Sequence, residues 1–469
     1  MRYRKLKELA SLAGMELLGK QDTEINGIAI DSREASEGQL FVAVKGPSND
    51  GHKYLEGAYA GGCRAFLVSD MAQSRAFFEK HDDVSRIVCG NTEFGAMELA
   101  AAYLREVDPL VVGITGSTGK TSTRALVAAV LSEKYRIHTA KKNLNTYLGI
   151  SMTIFSMDED TEALVLEMGM DRKNEIYEYC KRIRPDAAVI TNVGTVHMEY
   201  IGSQEGIAAE KLKITSFFGP ENTLVYNCDS PFMDDESIDK LSSGAFKRFP
   251  VGEGGGALLK IENAKDLGLE GISFDMILEG ESAHCEMPVM GLHNAHNGAL
   301  AAAIGHLYGI SLENAAKALS KASVENKRLT PIRLKGDILL VDDSYNANPD
   351  SVASAISTMA AIDAKRRICV LARMGELGPV HKESHLAIGK LIADRGMDIA
   401  VLVGPDRELY AEGIMRSEES CSVSSFPDMD SAADFVESLL APGDAVLVKG
   451  SLATGIHELA ARLRKELGY

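Results

Sequence analysis

The stretch Val111-Val112-Gly113-Ile114-Thr115-Gly116-Ser117-Thr118-Gly119-Lys120-Thr121-Ser122 decides the fold of this chain. The β-branched run 110–114 predicts a buried strand. A Gly/Ser/Thr loop follows, and then the apolar positions Ala125, Leu126, Ala129, Val130 and Leu131 predict a helix. Strand, loop and helix in that order make a phosphate site, because glycines let several backbone N–H groups converge on one anion at the positive end of a helix. Lys120 then supplies a point charge for the terminal phosphates, and the Thr121 hydroxyl can ligate Mg2+. The stretch departs from GxxxxGK(S/T) in one respect: Ile114 stands where the first glycine is usual, with Gly113 and Gly116 on either side. Gly116, Ser117, Thr118, Gly119, Lys120, Thr121 and Ser122 are the predicted nucleotide-binding loop.

Length and charge bound what surrounds this loop. A chain of 469 residues is long for one core, so two to four domains are expected. The net charge of −17 and the pI near 5.2 argue against nucleic acid or an anionic membrane as partner, since either favours a basic surface. The N-terminal MRYRKLKELASLAG carries charges where a signal peptide has an apolar core. No apolar run reaches the ~18 residues of a membrane span, and the expectation is a cytoplasmic protein. The seven cysteines, 63, 89, 180, 228, 285, 369 and 421, are scattered and never spaced CxxC, as reduced thiols in a core would be.

Outward from the loop, residues 90–325 alternate strands with helices, the pattern of a mostly parallel sheet covered on both faces. Ligands of such sheets gather at the carboxyl ends of strands. There, Ala163-Leu164-Val165-Leu166 ends in Glu167, and Ala187-Ala188-Val189-Ile190 ends in Thr191-Asn192-Val193-Gly194, with His197 beyond. A carboxylate finishing a buried strand needs a partner. Glu167, His197 and Thr121 together would hold one or two Mg2+ ions. Ser203 reads as the cap of a helix carrying Lys211 and Lys213, which on pattern alone are solvated lysines. Asn294 and Asn297 open a small-residue helix; three apart, they share a face and can hydrogen-bond an adenine edge, although Asn294 equally suits a helix cap. Before residue 89 the informative segment is Asp31-Ser32-Arg33, the strand 39–44, Gly46 and Asp50-Gly51-His52. A Ser-Arg pair at a strand end can hold a phosphate or carboxylate, and an ordinary polar turn explains it as well. The last 140 or so residues read as a smaller doubly wound domain with strands 338–341, 368–371, 399–403 and 445–448.

Taken jointly, GITGSTGKTS, LEMG, TNVGTVHMEYIGS, IAAEKLKI, GLHNAHNGALAA, the arginine of NKRL and Asp342-Asp343-Ser344-Tyr345-Asn346-Ala347-Asn348-Pro349 occur in one order that resembles the Mur ligases, the ATP-dependent amide-forming enzymes of peptidoglycan precursor synthesis. DSR, GQLFVAVKG and DGH resemble that family's UDP-binding domain. The resemblance implies an α/β fold of three domains: an N-terminal UDP-binding domain (1–88), a central P-loop ATPase-like domain with a mostly parallel sheet (89–325) and a C-terminal Rossmann-like domain (326–469). It implies a monomer that takes ATP, with Mg2+ as two ions, and a UDP-linked muramyl tripeptide. DDSYNANP resembles the members whose amine is D-alanyl-D-alanine.

The resemblance also assigns roles. Lys120, Lys211, His197 and Arg328 are the implied catalytic residues, with Lys211 carried as a carbamate and Thr121, Glu167, His197 and Lys211 around the metal. Asn294 and Asn297 fall near adenine, Arg328 on the phosphates, and Asp343 on the ribose side. Ser32, Arg33, Gly46, Asp50 and His52 fall on the UDP substrate, and Tyr345, Asn346, Asn348, Arg373, Lys449 and Ser451 on the amine. His381, His385 and the carbamate are the alternatives for the amine's proton. Departures cluster late: Ala372-Arg373-Met374 replaces GDM and Leu452 replaces an Arg, while Thr146 and Ser151 replace the last Asn of NLNN and a Pro. The competing readings are a folylpolyglutamate-type or cyanophycin-type amide ligase, against which DDSYNANP and DSR speak, and a nucleotide-binding paralogue without catalysis.

Overall fold

The computed structural model describes residues 2–140, 143–323 and 327–468. The expected boundary at 325/326 lies outside the described residues. Three large sheets organise the chain, of five, nine and six strands, beside a two-stranded pairing of Arg4–Lys5 with Glu24–Ile25.

The first sheet runs in the order Leu17–Gly19, Ser85–Val88, Ala65–Val68, Gln39–Val42, Gly27–Ala29, and only Leu17–Gly19 is antiparallel. Its central strand Ala65–Val68 is buried throughout, as a parallel strand covered on both faces must be. Helix Thr92–Val107 leaves this sheet, with Thr92 Oγ1 donating to Ala43 O at 3.0 Å, and its buried alanines lead into a core shared with the central sheet.

The central sheet has the order Glu281–Met287, Ile272–Leu278, Leu259–Asp266, Lys247–Gly252, Thr223–Asn227, Ala187–Ile190, Leu110–Thr115, Ala163–Glu167, Ile137–Thr139. Strands from Ile137–Thr139 to Leu259–Asp266 are parallel, and the last two pairings are antiparallel. That antiparallel extension departs from the simple strand and helix alternation because its strands follow one another through tight turns at Gly268–Glu270 and Gly280. Register sets Glu167 beside Ile114 and Ile190 beside Thr115, so the three candidate strand ends finish level with one another.

The third sheet runs Thr330–Leu334, Ile338–Asp343, Asp444–Lys449, Arg366–Leu371, Ile399–Val403, Ser422–Phe426, antiparallel only at its first pairing. Separate apolar clusters cover its two faces. Among the described residues, no helix is long and apolar enough to cross a membrane, and all seven cysteines are free.

Candidate active site

Strand Leu110–Thr115 runs straight into the phosphate loop, and helix Lys120–Leu131 leaves it. Gly116, at φ 154°, leaves no room for a side chain: a Cβ there would lie 1.8 Å from Thr191 Oγ1. Gly119 adopts φ 75° as the residue before the helix, which has no side-chain cap, so its first-turn amides remain available to an anion. Asn192 braces the loop from the neighbouring strand end: its Oδ1 accepts from Ser117 N at 3.1 Å and Thr118 N at 2.9 Å, and its Nδ2 donates to Thr118 Oγ1. Gly194 N donates to Ser117 Oγ at 2.8 Å. Lys120 is half-buried, curls back on the loop through Gly116 O at 2.9 Å, and has its pKa lowered by desolvation, with Glu167 opposing that shift. Ser122 is buried in the first helical turn.

Glu167, 3% exposed, has the partners its buried strand end demands. Thr121 Oγ1 donates to its Oε2 at 2.8 Å, Asn145 Nδ2 donates to its Oε1 at 2.9 Å, and Arg124 Nε lies 4.0 Å away. Arg328 reaches across from the entry to the third sheet and donates from Nη2 to Thr121 Oγ1 at 2.9 Å, while its guanidinium lies 4.7 Å over the Tyr345 ring. Asn143 Nδ2 donates to the Tyr345 hydroxyl. One cluster therefore joins the phosphate loop, the Glu167 strand and the third sheet's approach.

The two lysines of helix Gln204–Leu212 and the turn after it part company. Ser203 caps the helix as expected, Gly206 N donating to its Oγ at 3.0 Å. Lys213 is the ordinary one, bonded to Glu210 at 2.5 Å and to Asn174 Oδ1 at 2.7 Å. Lys211 corrects the solvated reading: it is 1% exposed, and among the described residues no group accepts a hydrogen bond from its Nζ. Burial, and second the charge of Lys120, push its pKa far below the lysine range. His197 is turned elsewhere, with Nδ1 2.6 Å from Glu376 Oε2 and 3.7 Å from Asp171 Oδ1, so it is a neighbour of the third sheet's loop rather than a contact of Glu167.

Several residues assigned to substrates are occupied in holding the fold. Asn294 and Asn297, both buried, bond each other at 2.8 Å; Asn294 Nδ2 holds Met290 O, and Asn297 Oδ1 accepts from Thr123 at 3.1 Å. They pin helix His293–Leu307 to the phosphate-loop helix, and Asn294 lies inside its helix, not at the cap. Asp343 and Lys449 form a buried pair at 2.6 Å across adjacent parallel strands, and Lys449 also holds Asn346 O at 2.9 Å. Burial raises the Asp343 pKa, with Lys449 opposing. Asn348 caps helix Pro349–Ala360 in a reciprocal bond with Ser351. The Asn346 side chain holds Ala347 N, and Ser451 Oγ accepts from Gly375 N at 3.1 Å.

Arg373 is half-exposed, its Nε 3.2 Å from Asp406 Oδ2. His381 Nε2 sits 2.9 Å from Asp406 Oδ1, and buried His385 donates from Nδ1 to His381 O at 2.7 Å and accepts at Nε2 from Met374 N at 3.3 Å. His381, His385 and Asp406 are close enough to hold an ion. The Arg373 charge and the Met374 N–H already serve that carboxylate and that ring nitrogen.

In the first domain Arg33 folds back on Asp31, Nη2 to Oδ2 at 2.5 Å, which lowers the Asp31 pKa to about 2 and leaves the guanidinium at the surface near half-buried Ser32. His52 is buried and structural: Nδ1 meets Asp50 Oδ1 at 2.6 Å, and Nε2 accepts from Ser69 N and Asp70 N at 3.0 and 3.1 Å. Gly46 N closes the same loop on Asn49 O at 2.8 Å. Sequence reasoning missed Asn192, Asn145 and Glu376; the first two stood in the quoted TNVG and NLN stretches, while Glu376 gave no signal beyond its place after Met374.

Three family models match in order along this frame: the Mur ligase family catalytic domain over 24–94, the Mur ligase middle domain over 114–305 and the Mur ligase glutamate ligase domain over 327–452. The UDP-N-acetylmuramoyl-tripeptide–D-alanyl-D-alanine ligase of Bacillus subtilis is 32% identical over 98% of this chain and 98% of its own length. The chain belongs to the Mur ligase family. As a Mur ligase it is an ATP-dependent amide ligase, and its three α/β domains are the family's. The MurF crystal structure from Acinetobacter baumannii superposes with a TM-score of 0.87 at 26% identity, covering 99% of this chain and 100% of that one. MurF from Thermotoga maritima, solved in complex with ADP, shares the fold with a TM-score of 0.80 at 24% identity, over 94% of this chain and 97% of its own.

Proposed function

We propose that this Mur ligase joins D-alanyl-D-alanine to UDP-N-acetylmuramoyl-tripeptide in the cytoplasm, splitting ATP to ADP and phosphate, in peptidoglycan precursor synthesis. What carries the reading is the convergence of Lys120, Thr121, Glu167 and Arg328, from two domains, in a chain that aligns nearly end to end with a ligase of that name.

The phosphate loop and the free first-turn amides of helix Lys120–Leu131 receive the triphosphate. Thr121 Oγ1 and the Glu167 carboxylate are hard oxygen donors, suited to Mg2+, which would neutralise charge on the phosphate oxygens when bound. The tripeptide carboxylate attacks the γ-phosphorus, ADP leaves, and Lys120 and Arg328 offset the charge that spreads over the transferred group. The dipeptide's neutral amine then attacks the acyl phosphate carbonyl, the C–O bond to phosphate breaks, and the nitrogen's proton leaves to the departing phosphate or solvent as the amide forms. Holding two reactants beside one nucleotide is the main contribution of a three-domain frame.

Lys211 suits a carbamate for a physical reason. An amine whose protonation is disfavoured by burial can, in its neutral form, add CO2 and lose a proton, and the resulting anion would pair with the same Lys120 charge that disfavours the ammonium. Ser32, Arg33, Gly46 and Asp50 in the first domain, and Tyr345, Asn346, Arg373 and Ser451 in the third, are exposed or half-buried and so accessible to the UDP and amine substrates.

The experiment is an ADP-release assay with each substrate omitted in turn, plus mass spectrometry of the UDP product. Expected are ADP release that needs both the tripeptide and the dipeptide, and a product heavier by one dipeptide less one water. ADP release indifferent to the dipeptide, or a product of unchanged mass, sinks the reading.

A further inference from the structure

Residues 372–378 form a loop at the carboxyl end of strand Arg366–Leu371 that is braced almost residue by residue. Tyr410 donates its hydroxyl to Ala372 O at 3.1 Å, Asp406 holds the Arg373 side chain, and Ser451 N donates to Arg373 O at 3.3 Å. Met374 N is taken by His385 and Gly375 N by Ser451 Oγ. The brace ends at Glu376, whose side chain leaves its own domain and meets His197 at 2.6 Å.

Both residues of that contact are strained. Glu376 has φ 60° and His197 has φ 64°, the left-handed region that costs a non-glycine residue about 1 kcal/mol or more. Such a pair persists only where the surroundings over-determine it. Here they do: Glu199 N reaches Glu376 O at 3.4 Å, and Gly378 packs so closely that a Cβ would lie 2.8 Å from Glu199 Cα. Val380 packs against the apolar clusters of both the central and the third sheets. On the far side of the same central loop, a Cβ on Gly194 would lie 2.0 Å from Asp350 Oδ2. The loop gripped at both ends is the one whose Asn192 and Gly194 hold Ser117 and Thr118.

We propose that Glu376 is a positioning residue of this ligase. It fixes His197 and, through the 191–197 loop, couples docking of the C-terminal domain to the setting of the phosphate loop. This rests on the activity proposed above. Its effect should therefore fall on turnover more than on ATP affinity, because the nucleotide's own contacts stay in the central domain while the docked geometry serves the reacting complex.

The test compares Glu376→Ala, Glu376→Gln, His197→Ala and the double alanine variant in the full chain. It reads kcat, ATP affinity by calorimetry, and hydrogen exchange over 194–201. Expected are an about tenfold lower kcat for Glu376→Ala with ATP affinity within about twofold, recovery to within about threefold for Glu376→Gln, and a double variant within about twofold of His197→Ala. Exchange over 194–201 should quicken in Glu376→Ala. Unchanged exchange, or unchanged kcat, or losses that multiply in the double variant, overturns the proposal. A wild type without dipeptide-dependent ADP release would sink the activity reading instead, leaving exchange alone to decide whether Glu376 holds the loop.

Discussion

Lys211 is buried, and the charge of Lys120 adds to burial in pushing the Lys211 pKa well below the ordinary lysine value. The consequence for stability has a definite sign. The unfolded chain keeps its lysine protonated up to the ordinary pKa of 10.5, whereas the folded amine releases its proton well below that. Between the two values the unfolded state binds more protons, so the term favours folding increasingly as pH rises and is flat below the folded value. Lys211→Met removes it. In CO2-depleted buffer, urea unfolding at pH 7.5 and 9.5 is expected to show wild type gaining stability relative to Lys211→Met as the pH rises. A constant difference means the amine is charged in the fold. With CO2 present, Lys211→Ala should lose turnover and regain part of it when short carboxylic acids occupy the vacated space.

Lys120→Ala is expected to abolish ADP release while shifting the thermal midpoint little. Its ammonium bonds only to loop carbonyls and is half-buried, so the core does not depend on it, yet it is the point charge nearest the terminal phosphate site. Turnover near the wild-type rate would remove the loop from the mechanism.

The Asp343 and Lys449 pair predicts a stability effect where the family resemblance placed substrate contacts. Lys449→Met leaves a buried carboxylate without its cation and should cost ~3 kcal/mol, whereas Asp343→Leu with Lys449→Met should recover much of that. Chemical unfolding of both variants checks it. A single variant as stable as wild type would mean that Asp343 takes up a proton at little cost.

The phosphate loop and the strand ends were legible because local chemistry forces them: GKT after a β-branched run has few other uses, and Glu167 could not end a buried strand alone. Lys211 was misread from pattern because a helical lysine looks solvated until the sheet it packs beneath is known. His52, Asn297 and Asn348, which the resemblance assigns to ligands, each also hold backbone or a neighbouring helix. A polar side chain that binds a substrate and one that satisfies a buried amide share one composition. Only the partners tell them apart. Glu376 was illegible for a further reason: its partner lies in another domain, 179 positions earlier by the difference 376 − 197.

Arg373 separates a substrate contact from a structural one. Its ion pair with Asp406 is half-exposed and therefore weak, and Asp406 keeps His381 at 2.9 Å if the arginine turns away. The half-exposed guanidinium can therefore exchange that weak pairing for the dipeptide's carboxylate, for which Leu452 has no charge to offer. Arg373→Ala is expected to raise KM for D-alanyl-D-alanine at least about tenfold, equivalent to ~1.4 kcal/mol, while leaving KM for ATP nearly unchanged. With Arg373 as the anchor, D-alanyl-D-lactate and D-alanyl-D-serine should lose a similar factor, because each presents the same terminal carboxylate. Steady-state kinetics with the three acceptors in wild type and Arg373→Ala decide it. An unchanged dipeptide KM would confine Arg373 to its pairing with Asp406.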